Sequence, residues 1–218
     1  MTDYSGNGHP AFFAQAPVLR VRDPLAEFLG AAQQGILEYR YEDAVRLAGH
    51  SCPTVAGAYL MVLAGLAALY DDGSLPERGG IRVYMAGARD EGTAGVTASV
   101  ATLLTGAATE MGFGGIGPQS RFARRNLLVF GQPLSGSVMA LQRADNGQGV
   151  RLRLEAEHRR PAEIRSLMPK AVSGSATPEE LRRFADLWQE QVRLLLAGGI
   201  GQAEVLPWRP DEAAGQAG

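Results

Sequence analysis

The chain has 218 residues, 45% of them apolar and 20% charged, an ordinary globular balance for one domain with extensions. A formal net charge of −2 supplies no basic field for nucleic acid. The single cysteine, Cys52, excludes an internal disulfide. No charged-then-apolar leader with a cleavage site opens the chain, so a cytoplasmic setting is expected.

Residues 1–22 read as an N-terminal arm whose aromatic stretch, His9, Pro10, Phe12 and Phe13, has the means to pack onto the body or onto a partner copy. Asp23 and Pro24 read as N-cap and first position of a short helix through Leu29, ended by Gly30. Ile36 to Tyr41 alternates like a strand, Tyr41 to Leu47 has helical spacing, and Gly49 stops it. Pro53 then opens a run with no charged residue before Asp71. The run is formally a membrane-span candidate. Its Ala, Gly and Thr content, its lack of a basic flank and the Asp71-Asp72 stop argue instead for a buried central helix of about 27 Å. Gly57 and Gly65 in it would let neighbours approach closely.

Ile81 to Met85 alternates as a strand, Gly87 to Gly95 is a polar turn holding Arg89, Asp90 and Glu91, and Val96 to Glu110 reads as a second apolar helix. The Gly-rich stretch 112–120 follows a helix rather than a strand and lacks a Lys-Ser/Thr pair, so it is no nucleotide fingerprint. It reads as a surface loop with Arg121, Arg124 and Arg125 solvated behind it, the alternative being a basic cluster that grips a small anion. Leu127 to Phe130, Ser137 to Gln142 and Val150 to Glu155 read as three strands of an antiparallel meander, with Asn146-Gly147 as a hairpin turn. A short helix over Ala162 to Met168 follows. Thr177-Pro178-Glu179-Glu180 is a capping box that starts a long helix to about Ala197. The expected fold is therefore α+β: a meander packed on two buried apolar helices, with a long C-terminal helix across it. The body spans 23–208, and residues 209–218 form a polar tail expected to be disordered.

Gly49-His50-Ser51-Cys52-Pro53 carries the chemistry. Pro53 suits the first helical position, so imidazole and thiol should lie at the mouth of a helix, where the dipole and free N–H groups favour a thiolate. Thiolate beside neutral imidazole suits a borderline or soft metal; a buried, inert cysteine beside a turn-capping histidine is the bland alternative. Ala48-Gly49-His50-Ser51-Cys52-Pro53 with Thr54 to Tyr59, Leu103-Leu104-Thr105-Gly106 and Asn126-Leu127 resembles the FmdE-like family, named after a component of formylmethanofuran dehydrogenase, over roughly Tyr41 to Glu155. That resemblance implies an α+β fold, a homodimer and a bound transition metal; it implies no reaction, because most members stand alone with no settled activity. The family's first motif His is Ala48 here, its second Cys falls near Val96, an acidic position near Ser99, and the Cys after Leu-Thr-Gly is Ala107. Only His50 and Cys52 are therefore implied as ligands.

Zinc is the default metal for such a pair, with copper(I), nickel and iron open. Haem bound through a Cys52 thiolate is another reading, as is a metal-free interaction or scaffold protein. Further donors would come from His9, from Asp90 or Glu91, or from an exogenous small-molecule ligand; His158 is more distant in the sequence. No Ser-His-Asp set can be assembled. A Cys52–His50 dyad is not expected either, since residues two apart on a turn rarely face thiol to imidazole. The apolar surplus, with Phe12, Phe13 and Trp188, points to a homodimer burying at least about 1,000 Å².

Overall fold

The computed structural model describes residues 2–6, 8–154 and 161–210. The fold is α+β, organised around one helix that packs against more of the other elements than any other element does. The chain enters through a 3-10 turn, Ala11–Gln15, then forms β1 (Leu19–Arg22), α1 (Pro24–Phe28), β2 (Ile36–Tyr39) and α2 (Tyr41–Ala48). β1 and β2 pair antiparallel as a two-stranded sheet, so the last four residues of the arm are structured.

The central helix α3 (Pro53–Leu69) is buried from Val55 to Leu66. An apolar, charge-free surface on every side leaves it no stable place except the interior. On one side it lies against a sheet built from β3 (Ile81–Met85), β4 (Leu128–Val129), β5 (Met139–Arg143), β6 (Gly149–Leu154) and β7 (Ala203–Trp208). Its glycines set that distance. A Cβ on Gly65 would lie 2.8 Å from the Cδ1 atoms of Leu141 and Leu152, and one on Gly57 would lie 2.6 Å from Leu154 Cδ1. α4 (Ala94–Thr105) packs on α3 and α2, burying Ala98, Val100, Ala101 and Leu104 and leaving Ser99 exposed. After α5 (Ala162–Ser173), the long α6 (Pro178–Ala197) lies against α3 through Val192, Leu195 and Leu196 and starts at the Thr177/Glu180 capping box. Among the described residues no helix is long and apolar enough to cross a membrane. Most of the expected polar tail, 211–218, lies outside the described residues.

Several expectations need correction. The sheet is mixed, with order β4-β3-β5-β6-β7. β4 does not join a meander with β5; it runs parallel to β3 at the edge, Val83 opposite Leu128. β7 closes the other edge and was not foreseen. Its Pro207 lacks an N–H, which an edge strand tolerates. α4 stops at Thr105 because Gly106 adopts a left-handed φ of 75°, five residues before the expected end. α5 runs past Met168, with Pro169 inside it, to Gly174 at φ 73°.

The arginines after the Gly-rich loop also divide. Arg121 and Arg125 are exposed, but Arg124 is 7% exposed and donates to Asp23 Oδ1 at 2.6 Å. Asp23 caps α1 through the amides of Leu25 and Ala26, and its other oxygen accepts from Arg78 at 2.9 Å. Arg78 also donates twice to the Leu103 carbonyl. One carboxylate thus ties three separate segments together. Burial alone would raise the Asp23 pKa; the hydrogen bond from Arg78, the charge of Arg124 and the Ala26 amide outweigh it and hold the carboxyl below its usual range.

Candidate functional site

The pair at the mouth of α3 is formed by two local backbone choices. α2 ends at Gly49 in a left-handed conformation, φ 73°, which turns the chain sharply. Cys52 then takes an extended conformation as the N-cap of α3, with Pro53 at the first helical position as expected. Between these corners the two side chains fold onto each other: Cys52 Sγ lies 3.3 Å from His50 Nε2. The expectation that residues two apart on a turn would not face one another is corrected here, because Gly49 and the extended Cys52 direct both side chains to one side.

The tautomer of His50 follows from its other nitrogen. Nδ1 lies 2.9 Å from the Ala48 carbonyl, which can only accept, so Nδ1 carries a proton and Nε2 faces the sulfur as a lone-pair donor. On its far side the sulfur accepts from the Val55 amide at 3.5 Å, one of the free N–H groups of the helix start. Cys52 is 8% exposed, whereas His50 is exposed.

The residue between them is anchored from two directions. The Ser51 carbonyl accepts from Trp188 Nε1 and from Gln189 Nε2, both at 3.2 Å, so α6 fixes the turn. Its hydroxyl lies 3.0 Å from the Tyr41 hydroxyl. Tyr41 is fully buried, and burial pushes its phenol far up, only partly offset by the Ser51 hydrogen bond. The phenol is therefore neutral and supplies no anionic donor.

The arm reaches the same neighbourhood. Phe13 is 2% exposed and packs edge-on against Tyr41 at 4.8 Å; His9 stacks on Phe13 at 5.7 Å. Thr2 fastens the arm to α6 through two 2.8 Å hydrogen bonds to Asp186 Oδ1. The expectation that aromatic residues dock this arm on the body agrees with these contacts. Glu91 lies in the turn before α4, where its carboxylate accepts from the Ala88 amide at 2.9 Å. Asp90 is exposed in the same turn. His158 lies outside the described residues. Among the described residues no three His, Cys, Asp or Glu side chains form a group that could hold a metal ion. His50 and Cys52 are the pair the structure brings together.

Sequence reasoning missed the supporting residues, Trp188, Gln189 and Tyr41. Trp188 and Gln189 are distant in sequence, and neither belongs to a motif with Ser51. The one available pointer was Trp188 on the apolar face of α6. No protein-family model matches this chain, and no curated protein matches it.

Proposed function

We propose that the protein binds a transition metal, zinc before others, through Cys52 Sγ and His50 Nε2. The observation that carries this reading is the 3.3 Å separation of the two atoms, with Nδ1 held on the Ala48 carbonyl. Zinc with bonds of about 2.3 Å to sulfur and 2.0–2.1 Å to nitrogen, at a tetrahedral angle, sets its donors about 3.6 Å apart. The pair is within a few tenths of an ångström of that spacing. A metal-binding histidine ordinarily donates its other ring N–H to a carbonyl or carboxylate, which fixes the tautomer; His50 already does so. The donor chemistry, one thiol and one imidazole, suits zinc, copper(I), nickel or iron. The resemblance of Gly49 to Pro53 to FmdE-like proteins points the same way.

A cytoplasmic setting, where a lone thiol stays reduced, and a homodimeric working unit belong to this reading. Haem ligation through Cys52 ranks lower, because the thiol is 8% exposed and covered by an imidazole two residues away. The test is metal content after dialysis against micromolar zinc. Wild-type protein should retain zinc, Cys52→Ser should retain none, and His50→Gln should bind at least tenfold more weakly. Equal zinc in wild type and Cys52→Ser would end the proposal.

A second reading rests on the same contact. Thiol, imidazole and an orienting carbonyl are the parts of a cysteine nucleophile with its base. Rapid, stoichiometric alkylation of Cys52 by iodoacetamide, slowed by His50→Gln and not by zinc, would favour it over metal binding.

A further inference from the structure

The Gly-rich loop has no part in the site at the mouth of α3. Ile116 and Arg121 exchange backbone hydrogen bonds of 2.8 and 3.0 Å, and the Arg124 amide donates to the Phe113 carbonyl at 2.8 Å, so the loop folds back on itself as a hairpin. Phe122 takes a left-handed φ of 64°, uncommon for a bulky side chain, and its ring meets Phe28 at the end of α1, 5.2 Å between centroids. Each of these joined segments leaves two large apolar side chains in water: Phe28 is 56% and Leu29 63% exposed, Phe113 44% and Ile116 37%. Single exposed apolar residues are ordinary, but a concentration of them marks an interaction surface. The free charges beside them have one sign. The Arg121 guanidinium lies over the Phe122 ring at 4.5 Å and over the Phe28 ring at 5.6 Å. Among the described residues neither Arg121 nor Arg125 makes an ion pair. Glu27 is engaged by Arg22, and Glu110 by Arg89. No Asp or Glu occurs between Glu110 and Asp145. A chain of net charge −2 thus carries a local patch that is both apolar and cationic.

We propose that this patch docks the protein on an anionic membrane surface, with Phe28, Leu29, Phe113 and Ile116 entering the interface and Arg121 and Arg125 pairing with lipid phosphates. Charge complementarity sets the sign of the surface: basic side chains beside an anionic leaflet are attracted to it, and a guanidinium matches phosphate geometry. Arg121 already rests on two rings, so its charge and their apolar faces reach the headgroup level together. Spacing favours a bilayer over a folded partner. Gly112, Gly114, Gly115 and Gly117 carry no side chains, so Phe113 and Ile116 stand as separate projections. A fluid bilayer accepts separate anchors, whereas a protein interface packs as densely as a protein interior. The aliphatic members argue against single-stranded nucleic acid, because Leu29 and Ile116 offer no ring on which a base could stack. The contact is peripheral and requires no spanning helix; among the described residues there is none.

The experiment is co-sedimentation of the full chain with vesicles of phosphatidylcholine alone, or of phosphatidylcholine and phosphatidylglycerol in equal parts. The chain should pellet with the mixed vesicles and stay in solution with phosphatidylcholine alone. Salt at about 1 M, where the screening length is about 3 Å, should weaken binding at least tenfold. Arg121→Gln and Arg125→Gln should each weaken it about fivefold. The pair Phe113→Ser with Ile116→Ser should weaken it at least about tenfold. Phe28→Ser, on the other segment, is the independent check and should weaken it too. All of these side chains are exposed, so melting temperatures should match the wild type. Wild-type binding by the Phe113→Ser, Ile116→Ser chain would mean adsorption by charge alone and would overturn the docking mode. No pelleting of the wild type with mixed vesicles would overturn the proposal, as would binding to oligothymidylate in place of vesicles. A wild-type mass of twice 23.1 kDa by light scattering that halves in the Phe113→Ser, Ile116→Ser chain would also overturn it, by showing that a second copy covers the patch.

Discussion

Replacing Asp23 by Asn removes one charge and, with Oδ1 kept on the helix amides, turns the oxygen that accepts from Arg78 into an NH2 donor. Asn is as good an N-cap as Asp, so the amides of Leu25 and Ala26 keep a side-chain acceptor. What changes is the environment of two guanidiniums. The Arg124 side chain is 8% exposed and that of Arg78 21%, and the carboxylate they share is 4% exposed. Breaking a buried ion pair by removing one partner costs about 3–5 kcal/mol, because the other charge stays buried and unpaired. The Arg124 Nε already has no hydrogen-bond partner, so the group has no local substitute. For a chain of this size 1 kcal/mol moves Tm by about 2–4 °C, so Asp23→Asn should lower it by roughly 6–20 °C. Thermal unfolding followed by circular dichroism reads this directly. The double variant Asp23→Asn with Arg124→Met should recover much of the loss, since it no longer buries an unpaired charge. A loss below about 1 kcal/mol for Asp23→Asn would refute the claim that this carboxylate holds the three segments together. The same group sets an acid limit. Its pKa is lowered on folding, so its contribution is present above the unfolded value near 3.9 and is lost as pH falls through the folded one.

Two further perturbations test packing and capping. Gly65→Ala should destabilise the protein by about 1–3 kcal/mol in urea unfolding, because its Cβ would meet leucine methyls of β5 and β6 at 2.8 Å; an unchanged midpoint would mean that the Leu141 and Leu152 side chains move aside without cost. Cys52→Ser should leave stability nearly unchanged while removing the metal donor, because serine is a strong N-cap; Cys52→Ala should lose about 1 kcal/mol as well. Equal melting of the two variants would show that a serine hydroxyl at position 52 does not cap α3 through the Val55 amide.

The helices were legible wherever a cap chemistry marked them: Asp23-Pro24, Cys52-Pro53 and the Thr177-Glu180 box all start helices where the sequence places them. Gly106 was an equally good stop, but the apolar Ala107-Ala108 beyond it kept the periodicity running. Long-range pairing was the part the sequence did not carry. β4 is two residues long and finds β3 in parallel, a choice made by tertiary contact rather than by a turn motif. At the candidate site, the residue types and the helix mouth were readable from Gly49 to Pro53. The thiol–imidazole contact was not, because it depends on the left-handed φ of Gly49 and on α6 clamping the Ser51 carbonyl from 137 residues away.

X-ray absorption at the zinc edge of the zinc-loaded chain tests the metal-binding proposal most directly, since it counts the atoms around the metal. The account predicts sulfur at about 2.3 Å and imidazole nitrogen at 2.0–2.1 Å, with the sulfur shell lost in Cys52→Ser. A first shell of oxygen and nitrogen alone in the wild-type protein would contradict it.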